Sequence, residues 1–148
     1  MKIFYDAVTV RRDIERGENS IPVFRALISS DKGDRFYQNH GQLGFALKDK
    51  SKPNWKEAEE ELTKAIEIRD RIGDIGFGLY EFNRAICRIH LGWQKDGIVQ
   101  DIVTAAKDKW AQKWTFPASC RPWLNENKTV LPELGFEETQ PAAGLLPN

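Results

Sequence analysis

Residues 54–73, NWKEAEEELTKAIEIRDRIG, carry the clearest structural signal in the chain and predict an amphipathic α-helix. Asn54 is a good N-cap, and Glu57 lies three residues on, where its carboxylate can reach back to the backbone N–H of the cap. Acidic residues crowd the first turns and arginines the last, as the helix dipole favours, and Gly73 is a typical stop. The predicted buried stripe consists of Trp55, Ala58, Leu62, Ala65 and Ile72.

The helical spacing of apolar residues continues on both sides of this segment. Upstream, helices are predicted from Ile3, with a strand as the competitor, then from Ser20, and then from Asp34 as N-cap. Downstream, Asp74 and Asp96 are the predicted caps of two more helices, the second one extending to the tryptophans at 110 and 114. These alternating helices and turns predict an all-α protein of two to three antiparallel helical hairpins.

The chain after Trp114 contains several prolines but also many large apolar residues, which is more than a disordered linker carries. We therefore expect it to fold back over the last helices as an irregular capping tail. The predicted organisation is one domain over residues 1–136, with hairpins at 3–31, 34–73 and 74–114, a capping tail at 115–136 and a flexible C-terminus at 137–148.

Composition excludes several classes of function. The chain has 22 basic and 22 acidic residues with the signs mixed, so a nucleic-acid-binding face is not predicted. No apolar run is long enough for a signal peptide or a membrane span, so we expect a cytoplasmic protein without a membrane partner. Cys87 and Cys120 are too few for a disulfide framework.

Trp55 and Trp110 fall on apolar helical faces and are expected to be core residues.

One stretch resembles a known repeat. HGQLGFAL (residues 40–47) followed by EAEEELTKAIE (residues 57–67) resembles the tetratricopeptide repeat, a two-helix unit. Leu43-Gly44 stand at the Leu-Gly pair of the family, Ala58 and Ala65 at its small positions, and Leu62 at an aromatic position. The sequence departs from the pattern at His40, Leu47 and Asp70, which replace the usual Trp, Tyr and Pro, and its loop is two residues longer.

The resemblance implies a stack of hairpins whose first helices line a concave groove that binds a peptide or a helix of a partner protein. On this chain, the implied groove positions lie on the helices that begin near Asp34 and Asp74. The predicted partner-binding residues are Gln38, Gln42, Phe45, Lys48, Tyr80, Asn83, Cys87 and His90.

The sequence leaves two alternatives to this adaptor, chaperone-like or inhibitor function. A small cysteine-dependent enzyme would use Cys87 or Cys120 as its nucleophile, although neither position has the local features of one. A structural subunit of a homo-oligomer would use Trp93, Trp123 and the tail as its interface. Cys87 and His90 are too few to hold a metal, so no metal, cofactor or catalytic residue is predicted.

Overall fold

The computed structural model describes residues 1–13, 16–74 and 77–131. Over these ranges the chain is helical and contains no strand, which confirms the all-α class. The α-helices are α1 (Lys2–Arg12), α2 (Ile21–Ser30), α3 (Tyr37–Asp49), α4 (Trp55–Arg71), α5 (Leu79–Leu91), α6 (Lys95–Ala106) and α7 (Arg121–Glu126). Short 3-10 helices lie at Gly17–Ser20, Ala111–Lys113 and Ala118–Cys120. Residues 132–136 of the expected capping tail and the expected flexible C-terminus at 137–148 lie outside the described residues.

The chain divides into two compact units, Met1–Gly76 and Phe77–Asn148. The division falls close to the expected junction between the second and third hairpins. The organisation of residues 1–136 as one domain stays a prediction.

In the first unit, α3 and α4 form an antiparallel hairpin. Gly44 in the C-terminal half of α3 faces Ala58 and Leu62 of α4, whereas Tyr37 at the start of α3 bonds to Asp74, just beyond the end of α4. The other side of α3 receives α2 and, to a smaller extent, α1. An aromatic cluster fixes α1, because the ring of Phe4 packs edge-on against the rings of Phe24 and Phe36.

The N-terminus of α4 follows the prediction only in part. The side chain of Asn54 accepts a hydrogen bond from the backbone N–H of Glu57 at 3.1 Å, as an N-cap does. Glu57 does not return the bond to the backbone. Its carboxylate instead accepts two hydrogen bonds from Arg25 of α2, at 2.6 and 3.0 Å, while the Asn54 N–H donates to the carbonyl of Leu47.

The end of α4 is a left-handed turn at Gly73, which has φ of 74°. The N–H of Gly73 donates to the carbonyl of Asp70 and that of Asp74 to the carbonyl of Arg69, the two bonds of a Schellman motif. Gly73 is thus the stop that the sequence predicts. Ile72 lies at the cap, and 50% of its surface is exposed, so its predicted place in the buried stripe is wrong.

In the second unit, α5 and α6 form another antiparallel hairpin, in which Arg84 bonds to Asp101 and Gly78 lies against Ala105. The segment after α6 returns to α5. The ring of Phe116 lies 4.6 Å from that of Phe82, and the ring of Trp114 lies 5.5 Å from it. Part of the expected tail therefore packs on a helix of its own unit.

Three predicted helix starts are wrong. Helix α3 begins at Tyr37, because Gly33 and Asp34 both have positive φ and the carboxylate of Asp31 accepts the N–H of Phe36. Helix α5 begins at Leu79, not at Asp74, and the carboxylate of Asp108 accepts the N–H of Gly78. Helix α6 begins at Lys95 after an N-cap at Gln94, so Asp96 lies within the first turn instead of capping it.

The predicted fifth helix is also too long. It ends at Ala106, and a turn and a 3-10 helix follow it. Trp110 lies in that turn with 45% of its surface exposed, so it is not a core residue. The spacing of apolar residues predicts one continuous helix through Trp110, but the chain turns before that residue, and the carboxylate of Asp108 accepts its backbone N–H.

Candidate functional site

The structure does not expose the predicted binding residues of α3 equally. Gln38, Gln42 and Lys48 are each partly exposed. Phe45 is only 5% exposed, so its prediction as an exposed anchor is wrong. One reason is Arg11 of α1, whose guanidinium carbon lies 5.2 Å above the centre of the Phe45 ring.

Arg11 joins α1 to α3 at this place. Its Nε donates a hydrogen bond to Oε1 of Gln42 at 2.5 Å, while its guanidinium covers Phe45. Burial lowers the pKa of Arg11, the nearby charge of Asp49 opposes that effect and the charge of Arg12 adds to it. A half-buried cation that has both an aromatic ring and an amide as partners is held in one position.

Arg11 is not among the residues predicted from the sequence, although the sequence contains a signal for it. Arg11 lies four residues after the buried Ala7, and thus at the flank of the apolar stripe of α1. A long cationic side chain in such a place lays its methylene stem along apolar surface. Which ring it covers depends on how α1 packs against α3.

The predicted binding residues of α5 are mostly covered in the structure. Tyr80 is 3% exposed, Asn83 8% and Cys87 0%, so their prediction as exposed groove residues is wrong. Tyr80 stacks edge-on with Phe77 at 5.8 Å, and the amide of Asn83 donates to the Leu79 carbonyl of its own helix at 2.8 Å. These contacts hold the side chains in the core and tie them to local backbone.

His90, the last of the predicted set, is partly exposed near the end of α5. Its Nε2 lies 3.0 Å from Oγ of Ser119, which belongs to the 3-10 helix before α7. This contact is one of the links by which the segment after Trp114 is held on α5.

Both cysteines are thiols and not halves of a disulfide, and neither has any exposed surface. A thiol must reach its substrate to act as a nucleophile, so this burial gives no support to the alternative of a cysteine-dependent enzyme. Within the described ranges, no group of three or more His, Cys, Asp or Glu side chains has the arrangement of a metal site.

Each of the two units contains one cluster of buried polar side chains that joins its helices. In the first, Nδ1 of His40 lies 2.7 Å from the carboxylate of Glu61, which also accepts from Lys64 at 3.1 Å. Burial alone would raise the pKa of Glu61, but the bonds and charges of its two partners bring it below its usual value. His40 thus bonds α3 to α4.

The second cluster surrounds Asp101 of α6, which is 2% exposed. Arg84 contacts both of its carboxylate oxygens at 2.7 and 2.9 Å, and Arg88 contacts one at 3.1 Å. Burial raises the pKa of Asp101 in spite of these two cations. Arg88 also covers the ring of Trp93 at 4.0 Å, and that ring remains 43% exposed.

Comparison of the chain with models of protein families, with curated proteins and with solved structures finds no match. In the part of the chain that the structure describes, no helix has both the length and the apolar character that crossing a membrane requires.

Proposed function

We propose that the protein is a protein-binding module built from hairpins like those of the tetratricopeptide repeat, and that it holds a peptide or helix of a partner on the outer side of α3. The observation that carries the proposal is the division of α3 into two sides. One side packs on α4. The other receives α2 and α1, and beside these contacts Gln38, Gln42 and Lys48 stay partly exposed, with Gln42 bonded to Arg11 of α1.

The close contact between α3 and α4 supports the repeat-like part of the proposal. A Cβ atom at Gly44 would lie 2.7 Å from Cγ of Leu62 and 3.3 Å from the carbonyl oxygen of Ala58. Helices approach this closely only where one of them carries a very small residue. These three residues are also the ones that carry the resemblance to the repeat.

The chemistry of the exposed side of α3 suits a peptide. The amide of Gln38 can donate and accept hydrogen bonds, and Gln42, whose Oε1 accepts from Arg11, can donate through its NH2 group. Both can therefore pair with the backbone of an extended segment or of a helix end. Arg11 and Lys48 add positive charge, although Lys48 is paired with Asp49. The fixed position of Arg11 over Phe45 lowers the entropy that ordering this surface would cost on binding.

A peptide selection tests the proposal. Peptides would be selected from a displayed random library against the folded protein, and their affinities measured by fluorescence polarisation. The test variant replaces Gln38, Gln42 and Lys48 together with alanine. Because each lost hydrogen bond is worth about 1 kcal/mol, we expect binding to weaken by at least about tenfold.

The matched control replaces Lys56, Glu60 and Glu67 with alanine, since these are exposed side chains of α4. Circular dichroism would show that both variants keep their helical content. Equal affinity of the test variant, the control and the unchanged protein for every selected peptide would contradict the proposal.

The homo-oligomer stays the second interpretation, since Trp93 is exposed while Trp123 is partly exposed. Light scattering at several protein concentrations would give the mass in solution. A stable dimer that the change of Trp93 to alanine dissociates would favour this interpretation over peptide binding.

A further inference from the structure

A second surface lies on the other compact unit, in the turn and 3-10 helix that follow α6. Residues 107–114 read KDKWAQKW, with three lysines and one aspartate, which leaves two net positive charges in a chain that is neutral as a whole. Lys107, Lys109 and Lys113 are all exposed, and Trp110 among them is 45% exposed. The proposed function does not use any of these residues.

The exposed ring holds two of the charges in place. The ammonium group of Lys109 lies 5.4 Å from the centre of the Trp110 ring, and that of Lys113 lies 4.6 Å from it. Contacts of this kind are individually weak at an exposed site, but they restrict two long side chains that would otherwise be free. An anionic partner therefore meets cations that are already gathered on an aromatic surface.

The one acidic side chain of the segment is occupied elsewhere. The carboxylate of Asp108 accepts the backbone N–H of Gly78 and that of Trp110, each at 2.8 Å. Among the residues that the structure describes, none of the three lysines forms an ion pair. In the same unit, the exposed ring of Phe77 lies 6.2 Å from that of Trp114.

The size of this surface favours a peptide over the larger anionic partners. Proteins that bind nucleic acid through charge make roughly 6–10 phosphate contacts, and three lysines are too few for that. Stable binding to an anionic membrane requires both a strong apolar anchor and a basic patch. One exposed tryptophan is a weak anchor, and three lysines are a small patch. Recognition of an acidic segment needs only a few cations beside one aromatic anchor.

We infer that Lys107, Lys109, Lys113 and Trp110 form a docking surface for an acidic peptide segment of a partner protein. The carboxylates of the segment contact the ammonium groups, and an apolar side chain between them contacts the exposed Trp110 ring. The surface lies on a different unit from the proposed α3 site, so the two can be tested independently.

The experiment measures binding of a fluorescein-labelled peptide of alternating Glu and Leu residues to the full chain at low ionic strength. The test variant carries Lys107→Gln, Lys109→Gln and Lys113→Gln together, and a second variant carries Trp110→Ala. We expect the triple change to weaken binding about tenfold, as the loss of a few exposed ion pairs does, and added salt to weaken binding to the unchanged protein. We also expect the Trp110→Ala change to weaken binding.

The matched control carries Lys32→Gln, Lys52→Gln and Lys128→Gln, which removes the same charge from exposed lysines elsewhere in the chain. Equal losses in the two triple variants would overturn the inference, because binding would then follow net charge and not this surface. Tighter binding to a labelled oligothymidine, or to vesicles that contain phosphatidylserine, would also overturn it. Circular dichroism would verify that all variants keep their helices.

Discussion

The close approach of α3 and α4 at Gly44 makes a prediction in which two opposing effects can be weighed. In Gly44→Ala, the new methyl group would lie 2.7 Å from Cγ and 2.9 Å from Cδ2 of Leu62. Leu62 has no exposed surface and cannot easily move aside. We expect a strain of about 2 kcal/mol from overpacking.

Alanine also has a helix propensity about 1 kcal/mol better than glycine, which offsets part of this strain. The expected net effect is a loss of about 1 kcal/mol in the free energy of unfolding, or roughly 3 °C in Tm. Urea denaturation followed by circular dichroism would measure it. The sign of this change distinguishes the two cases, because replacing glycine with alanine at an unconstrained helix position raises the free energy of unfolding.

A double-mutant cycle with Leu62→Ala separates the two effects. Leu62→Ala alone should cost about 3 kcal/mol, because it leaves a cavity in the core. In that background the methyl group at residue 44 has room, so Gly44→Ala should stabilise by about 1 kcal/mol. The coupling energy between the two positions would then be about 2 kcal/mol.

The control is Gly97→Ala in α6, where a Cβ atom would meet Trp93 and Arg88 at 3.7 and 3.8 Å, which are ordinary contact distances. This change should be neutral or stabilising. If Gly44→Ala stabilised the unchanged protein as Gly97→Ala does, with no coupling to Leu62, the reasoning about the α3–α4 contact would be refuted.

Three further predictions follow from single contacts. Asn54→Ala should cost about 1 kcal/mol in urea denaturation through loss of the α4 cap, and Asn54→Ser should restore most of it. Hydrogen bonds from Arg25 hold the pKa of Glu57 below its usual value of 4.5, so the free energy of unfolding should fall as the pH drops below that value. In Glu57→Gln the free energy of unfolding should depend less on pH in this range. Curves of the same slope for the two proteins would contradict this. Burial, aided by a hydrogen bond to Asp74, raises the pKa of Tyr37 from 10 to about 12, so ultraviolet absorbance should show one tyrosine that ionises at unusually high pH. Because this tyrosine ionises at lower pH in the unfolded chain than in the folded one, the free energy of unfolding should fall above pH 10. Tyr37→Phe should remove both effects.

The candidate site was only partly predictable from the sequence. The helical period of α3 predicts an exposed side with Gln38, Gln42 and Lys48, and all three are partly exposed. It does not show that Arg11, far away in sequence, covers Phe45. The resemblance to the repeat predicts Tyr80 and Cys87 on an exposed face of α5, although the structure buries them. Periodicity describes which residues share a helix face, and it does not say how many faces are covered.

Helix limits show the same difference between local and distant causes. Asn54 and Gly73 act within a few residues of their own backbone, and both were predicted correctly. The start of α5 depends on Asp108, thirty residues further along the chain. Continuing the helical period past that turn predicts Trp110 in the core, but the residue is exposed.

The sequence by itself determined the all-α class, the helix of residues 55–71 and its cap and stop, because spacing, capping and a left-handed glycine turn act over a few neighbouring residues. Tertiary structure alone decided that Glu57 bonds to Arg25, that His40 bonds to Glu61, and that Lys109 and Lys113 gather on an exposed Trp110 ring. Each of these outcomes depends on where a side chain's polar or aromatic partner lies in space. For Glu57 and His40 that partner is on another helix, and for the two lysines it is set by the turn after α6.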